Sequence, residues 1–183
     1  MSPSPAGGFP ESISGEDFEN LFSTFQREAF RLETLDDYSG SSNAASLRAF
    51  LDGEPQPADY NQEWVDEVRA NTAGGKRMYR VHILSRPLTP YLRFELGWGY
   101  AKNATAGEEF FILDTTDQPN PLDGVPDFWA FDESTVITMR YGDGGTFLDA
   151  DRESTTEKWL GYRDLALSRA VPFAEWWARH GSE

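Results

Sequence analysis

Apolar and polar residues alternate along the middle of the chain with the two-residue period of β-strands. Between Met78 and Ser85, for example, even-numbered and odd-numbered side chains face opposite sides. The predicted strands span residues 78–85, 91–100, 108–113, 127–131, 135–141 and 146–148. Because no helical pattern separates them, an antiparallel sheet is predicted. We expect residues 76–132 to form most of it.

Before and after this stretch, hydrophobic residues recur every three or four positions, which is the period of an amphipathic helix. The predicted helices span residues 15–34, 44–51, 60–73 and 155–180. Ser14 and Asp17 have the spacing of a capping box at the start of the first helix. Pro172 falls inside the last helix, and an interior proline removes an amide donor. We therefore expect a kink or break near Ala170 and Val171.

These elements predict an α+β fold with an antiparallel sheet of about five or six strands. The N-terminal helices and a long C-terminal helix flank the sheet. A chain of 183 residues, 39% hydrophobic and 14% aromatic, is long enough for one sizeable core. We predict a single α+β domain at residues 13–183. Residues 1–12 are rich in Ser, Pro and Gly and are predicted to be a disordered tail.

The formal net charge of -15 excludes some classes of partner. Such a field repels phosphate backbones and anionic lipids, so neither direct nucleic-acid binding nor membrane binding is expected. No apolar run approaches the roughly 20 residues that span a bilayer. The chain has no cysteine, so it has neither disulfides nor thiolate metal sites. These features favour a cytoplasmic location.

Four charged residues of the predicted sheet are the first candidates for a ligand site: Arg80, Arg93, Glu95 and Glu108. Arg93 and Glu95 are two residues apart on one predicted strand, so both side chains would project from the same face. As a pocket, the group would bind an anion through its arginines and use a glutamate as acid or base. As an ion-pair network, it would only fix the register of the strands. We favour the network.

Asp127 and Trp129 form the second candidate ligand site, in the run DFWAFD after a proline-rich loop. Aspartates in such positions commonly cap turns, and Trp129 is most simply a core residue. The alternative is that Asp127 and Asp132 border a cleft.

The sequence identifies no catalytic residue, metal site or cofactor. His82 is alone in a predicted strand and His180 lies near the end of the chain. There is no HExxH, GxSxG, HxK or GxxxxGK pattern. We therefore predict neither a metal nor a cofactor, and we lean against an enzyme.

Trp176 and Trp177 are the candidates for a partner contact. Adjacent residues of a helix cannot face the same direction, so at least one of the two rings is expected at the surface unless the helix end is enclosed. Packing of both rings under the N-terminal segment is the alternative.

Six runs carry a resemblance to a known family: LFSTFQREAFRLETLDDY, RVHILSRPLTPYLRFEL, NATAGEEFFIL, DFWAFD, VITMRYGDGG and YRDLALSRAVPFAEW. Together they resemble an uncharacterised actinobacterial family, a domain of unknown function often encoded beside helix-turn-helix regulators. The resemblance implies a genomic setting and no reaction.

The leading hypothesis is a non-enzymatic, acidic interaction or regulatory module that binds a protein partner, namely a helix-turn-helix transcriptional regulator. It depends on the charge, the lack of catalytic patterns and the family setting. The alternative is a small-molecule-binding protein or enzyme that acts on an anionic substrate through the Arg/Glu pocket.

Overall fold

The computed structural model describes residues 10–183, and residues 1–9 of the predicted tail lie outside this range. The strands are β1 (Glu11–Ser12), β2 (Glu28–Glu33), β3 (Arg77–Leu84), β4 (Glu109–Asp114), β5 (Phe128–Phe131), β6 (Thr135–Tyr141), β7 (Phe147–Arg152) and β8 (Val171–Pro172). The helices are α1 (Gly15–Thr24), α2 (Ala44–Leu51), α3 (Gln62–Ala73), α4 (Pro90–Phe94), α5 (Ala101–Ala104), α6 (Glu157–Arg169) and α7 (Phe173–His180). A π-helical segment, Glu95–Tyr100, joins α4 to α5.

The strands form one mixed sheet of eight strands in the order β1-β7-β6-β5-β2-β3-β4-β8. β3 runs parallel to both β2 and β4, and the other neighbouring pairs are antiparallel. The α+β class is confirmed, but the predicted antiparallel sheet of five or six strands is wrong. The parallel pairs arise because helical crossovers separate the central strands, as parallel connections require.

The central strand β2 was predicted to be the second half of the first helix. α1 instead ends at Thr24, and Phe25 is already extended, with ψ 151°. In the predicted helix, Arg31 and Glu33 would lie on the solvent-facing side. Both are buried in the sheet.

Residues 91–100 were predicted to be a strand and are helical. Thr89 caps α4 by accepting a hydrogen bond from the backbone N–H of Leu92 at 3.1 Å, and Pro90 occupies the first turn. Leu88, Leu92, Leu96 and Tyr100 are spaced four residues apart, and all pack in one apolar cluster. This spacing is the helical signal that the strand prediction overlooked.

The prediction of one long C-terminal helix is also wrong, although the helix breaks next to Pro172 as predicted. α6 ends at Arg169, Val171 and Pro172 pair with Ile112 and Phe111 of β4, and α7 follows. Because proline cannot donate to a ladder, the sheet edge is a position that tolerates it.

Helices cover both faces of the sheet. On one face α6 packs over an apolar cluster that includes Phe30, Leu32, Tyr79, Val81 and Trp159. The opposite face packs against α1, α3, α7 and the segment from α4 to Tyr100. None of the helices within residues 10–183 is both long and apolar enough to cross a bilayer.

Two loops beside the sheet are in direct contact, namely residues 37–43 and the turn between β6 and β7. Gly145 in this turn has φ 69°, and a Cβ placed there would lie 2.1 Å from the carbonyl oxygen of Asp37. Ser41 donates to the Gly145 carbonyl oxygen at 2.5 Å and accepts from the N–H of Phe147 at 2.7 Å. The contact therefore requires glycine at position 145.

Candidate functional site

A group of charged side chains lies on one face of β2 and β3, at the centre of the sheet. The parallel register places Arg31 beside Arg80 and Glu33 beside His82. All four side chains project from the face opposite α6, because Leu32 and Val81 between them enter the apolar cluster under that helix. The sheet therefore brings two arginines, a glutamate and a histidine together in its interior.

Arg80 is held by two carboxylates. Its Nε and Nη2 atoms donate to Oε1 of Glu108 at 2.8 and 2.6 Å, and its Nη1 atom donates to Glu33. The second oxygen of Glu108 accepts from the indole N–H of Trp64 at 2.9 Å. The guanidinium has a bonded acceptor at each of its three nitrogens.

Arg31 pairs with Asp127, which lies just before β5. Its Nη2 atom donates to Asp127 at 3.1 Å and to the hydroxyl of Tyr141 at 2.9 Å. Asp127 also accepts from the backbone and hydroxyl of Thr34 and from the hydroxyl of Tyr38. This aspartate holds the chain after β2 against the sheet.

His82 is fully buried and uses both ring nitrogens. Nε2 lies 2.8 Å from the carbonyl oxygen of Leu35, and Nδ1 lies 3.0 Å from Oε2 of Glu33. Burial alone would lower the pKa of His82, but the hydrogen bond and charge of Glu33 outweigh it and raise the pKa to about 9. His82 is therefore a structural imidazolium at neutral pH and not a free base or nucleophile.

Glu33 is the centre of this network. Burial opposes its ionisation, but the charge of Arg80 and the hydrogen bond from His82 hold its pKa well below the ordinary value. The hydroxyl of Tyr100 donates to its Oε2 atom at 2.6 Å. Glu33 is thus an ionised carboxylate, and each of its two oxygens accepts a hydrogen bond from a neighbouring side chain.

Glu95 differs from these carboxylates because its contacts are longer. It projects from the π-helical segment, and its Oε2 atom lies 3.8 Å from Nδ1 of His82. Within residues 10–183 this oxygen is buried and makes no hydrogen bond. Burial and the nearby charge of Glu33 raise the pKa of Glu95 to about 8.

A cavity of about 590 Å³ opens beside Glu95. Its lining residues are Ser41, Ser42, Asn43, Ser46, Pro57, Asp59, Tyr60, Asn61, Trp64, Arg80, Tyr91, Phe94, Glu95, Gly99, Tyr100 and Asn103. A smaller cavity of about 190 Å³ shares Ser41, Ser42, Arg80, Tyr91 and Glu95 with it and reaches Arg31 and Glu33. The ionic group therefore forms the floor of an open space that aromatic rings surround.

The structure brings together three of the four charged residues predicted as a site. Arg80, Glu95 and Glu108 meet at the cavity or beneath it. Arg93 lies on α4 and donates instead to the backbone carbonyl of Glu183. An ion-pair network and a cavity therefore lie side by side, and a ligand role for these residues stays a prediction.

The other predicted site residues lie in the core. Asp127 pairs with Arg31, and the ring of Trp129 lies 5.6 Å from the Arg31 guanidinium carbon. Trp176 is buried, with its indole N–H donating to Asp114 at 3.0 Å, and Trp177 is half-buried. Neither tryptophan forms a freely exposed patch.

Sequence reasoning missed Arg31, Glu33 and Tyr100 and set His82 aside. Arg31 and Glu33 are two residues apart in EAFRLE, the spacing of one strand face. That signal was hidden because the same run also fits a helix. Tyr100 follows the four-residue spacing of the leucines before it.

Glu33, His82 and Glu95 have ligand atoms within 4.8 Å of one another, which raises the question of a metal. A metal ion would have to displace the proton that His82 shares with Glu33, and it would lie near the Arg80 guanidinium. The donor set therefore fits an ion-pair network better than a metal centre.

The model of a protein family, a domain of unknown function (DUF6879), matches residues 16–178. The chain belongs to this family. The predicted membership of a domain-of-unknown-function family is thus confirmed, and it brings no activity with it. No curated protein matches the chain.

Among solved structures, the phosphatidylserine synthase of Haemophilus influenzae Rd KW20 is similar to this DUF6879 domain, with a TM-score of 0.42 and 10% identity. The match covers 88% of this chain and 38% of the synthase chain, so the domain spans well under half of that protein. A similarity of this size carries no argument about function.

Proposed function

We propose that the protein binds a small organic molecule in the cavity beside Glu95, and that the Glu95 carboxyl group contacts this ligand. The observation that carries the proposal is that Glu95, whose Oε2 atom has no hydrogen bond among the described residues, lines an open cavity. A buried carboxyl group without a hydrogen bond is costly unless a ligand supplies one.

The size and lining of the cavity support this proposal. Its volume of about 590 Å³ is in the range of small-molecule sites. Tyr60, Tyr91 and Phe94 provide apolar walls, and Asn61 and Asn103 provide amides. The floor is fixed in advance by the Arg80 ion pairs, which limits the cost of ordering on binding.

Gly99 offers a direct test, because a side chain there enters the cavity. An added Cβ would lie 3.8 Å from the Tyr60 hydroxyl and 3.9 Å from Cγ of Glu95, both ordinary contacts. We expect Gly99→Leu to fold and to abolish binding, whereas Gly99→Ala leaves most of the space open. Gly97→Ala is a control in the same segment, where the new Cβ faces Phe50 and Trp177.

The measurement is a thermal-shift and calorimetric survey of all four proteins. The probes are four classes of small molecule: amines, carboxylates, phosphate esters and neutral alcohols. Binding by any class to the wild type and Gly97→Ala, but not to Gly99→Leu, supports the proposal. Failure of all four classes to bind the wild type, or equal binding to Gly99→Leu, contradicts it.

We also propose, as a second function, that the protein binds a helix-turn-helix regulator in the cytoplasm of an actinobacterium. The sequence resemblance and the net charge of -15 support this. Phe147 and Leu148 add an adjacent apolar pair on β7, 43% and 60% exposed, beyond the residues that pair with β1. Exposed pairs of this kind are small, so the proposal depends mainly on charge.

Co-elution of the protein with the regulator encoded next to it tests this second function. We expect a complex that higher salt weakens, because exposed charges are screened. The double variant Phe147→Ser, Leu148→Ser should weaken it further. Separate elution of the two proteins at low salt would rule out this partner.

A further inference from the structure

We infer that the ligand of the central cavity is an organic cation, with a protonated amine or quaternary ammonium group beside Glu95 and an apolar body against the aromatic walls. This inference rests on the proposed function, since it names the chemical class of ligand for the same cavity.

The charged groups under the cavity form pairs. The floor contains three cations, Arg31, Arg80 and His82, and each has a carboxylate within 3.1 Å. The carboxylates that serve them are Asp127, Glu108 and Glu33. Cations and anions are therefore equal in number before Glu95 is counted. Glu95 is a surplus acidic group, which is negative once it loses its proton.

An anionic ligand would meet an arginine, Arg80, that is already paired with carboxylates. Both Nε and Nη2 of Arg80 are bonded to Glu108, and Nη1 is bonded to Glu33. Nη1 and Nη2 each keep one further N–H, but an anion that approached Arg80 would meet the negative charges of Glu33 and Glu108, which already neutralise this guanidinium. The predicted use of Arg80 and Arg93 to bind an anion is therefore disfavoured, all the more since Arg93 is elsewhere.

The aromatic lining of the cavity also favours a cation. The rings of Tyr60 and Phe94 are 5.9 Å apart and those of Tyr91 and Phe94 are 6.0 Å apart, and all three line the cavity with Trp64 and Tyr100. The faces of such rings attract cations, most strongly when water is excluded. A carboxylate beside several aromatic rings is the combination that recognises ammonium groups.

The charged and titratable groups around Glu95 predict how binding depends on pH. They are Arg31 and Glu33 from β2, Arg80 and His82 from β3, Tyr91 from α4, Tyr60 before α3 and Tyr100 at the end of the π-helical segment. With this surrounding, the pKa of Glu95 is about 8, so at pH 7 the free protein holds a proton there. A cation placed beside it would lower that pKa and release the proton. Affinity for a permanent cation should therefore rise with pH up to about pH 8.

The experiment compares three probes with a similar body and different charge: benzyltrimethylammonium, 2-phenylethanol and phenylacetate. Isothermal titration calorimetry in two buffers of different ionisation enthalpy gives both affinity and protons released. We expect the ammonium to bind at least about tenfold more tightly than either other probe, as expected for a desolvated cation on aromatic rings beside a carboxylate. Proton release should accompany its binding at pH 7.

Two substitutions of equal charge change locate the effect. Glu95→Gln should cost about tenfold or more in ammonium affinity and remove the proton release. Glu54→Gln removes one charge from an exposed connector and should change neither. Gly99→Leu should abolish binding.

The outcomes that overturn the inference differ from the outcome that overturns the proposed function. Tighter binding of phenylacetate or phenylethanol that Gly99→Leu blocks leaves the cavity as a ligand site and refutes the cation. Ammonium binding that survives Gly99→Leu places the cation on the acidic surface and refutes the inference. Unchanged ammonium affinity in Glu95→Gln refutes the role of that carboxyl group and thereby the inference. Absence of binding by every probe class removes the proposed function itself.

Discussion

The two faces of β2 and β3 use the same backbone for opposite purposes. On one face Phe30, Leu32 and Val81 pack under α6 without polar contacts. On the other face lie Arg31 and Arg80, each next in sequence to one of these apolar residues. They belong to an ionic group beneath a cavity. The apolar face stabilises the fold by burial. The ionic face fixes geometry, because buried ion pairs contribute little net stability.

This difference predicts that the two faces respond differently to mutation and to pH. Removal of an apolar side chain leaves a cavity whose cost does not depend on protonation. Removal of one ion leaves its partners buried and uncompensated, and protonation can relieve them. Stability measured at two pH values therefore distinguishes the faces.

The largest effect is expected for Arg80→Met. Glu33 and Glu108 would lose their shared cation inside the protein. We expect a loss of about 3–5 kcal/mol of unfolding free energy at pH 8. At pH 5 the loss should be smaller, because the uncovered carboxylates can bind protons. Urea unfolding at both pH values measures this, and an equal loss at the two would contradict it.

Leu32→Ala is the matched change on the apolar face. Leu32 is fully buried one residue before Glu33. The expected loss is about 2–5 kcal/mol, the range for leucine removed from a core. The same urea experiment should give the same loss at pH 5 and pH 8. A pH-dependent loss would show that the two faces are not independent.

The wild-type protein should itself lose stability as the pH rises from 6.5 to 9. The pKa of His82 is about 9 in the fold against 6.5 for the free side chain, so the folded state binds more protons in this window. The contribution lost is about 3 kcal/mol. The pKa of Glu95, raised to about 8, acts in the same direction between pH 4.5 and 8. Thermal unfolding across this range measures the fall.

Glu95→Gln separates these two contributions. It should flatten the decline below pH 8 and leave the part due to His82. A wild-type protein whose stability rises steadily between pH 6.5 and 9 would refute the imidazolium at position 82.

The smallest effect is expected for Arg93→Ala. Arg93 contacts the backbone of Glu183 at the exposed C-terminal end, away from the cavity floor. The loss should be about 0.5 kcal/mol or less, as for most surface contacts. Ligand affinity should be unchanged in the calorimetric assay. A loss of binding would restore this arginine to the site.

Local patterns in the sequence identified most of the elements but not their arrangement. Helices α2 and α3 and strands β3 to β6 follow periodicities that depend on their own residues. β2 was missed because Arg31 and Glu33 read as solvent-facing, and only their long-range partners Asp127 and Arg80 make burial possible. The strand order was missed for the same reason.

The candidate site was predicted in part. Arg80, Glu95 and Glu108 were found because charged residues inside an apolar pattern are unusual. Arg93 was grouped with them because residues 91–100 were treated as a strand, which places residues 93 and 95 on one face. In a helix, residues two apart face different directions. The sequence could not show that Oε2 of Glu95 makes no hydrogen bond in the part of the chain that the structure describes, since that depends on how every neighbouring group is paired.

The contact of Ser41 with Gly145 and Phe147 connects one wall of the cavity to the turn between β6 and β7. Ser41 lines the cavity, and its hydroxyl accepts from the Phe147 amide in the turn between β6 and β7. A ligand that orders this wall should slow hydrogen exchange at that amide, although Phe147 itself does not line the cavity. The amide of Phe147 is thus a natural reporter of occupancy that requires no label in the cavity itself.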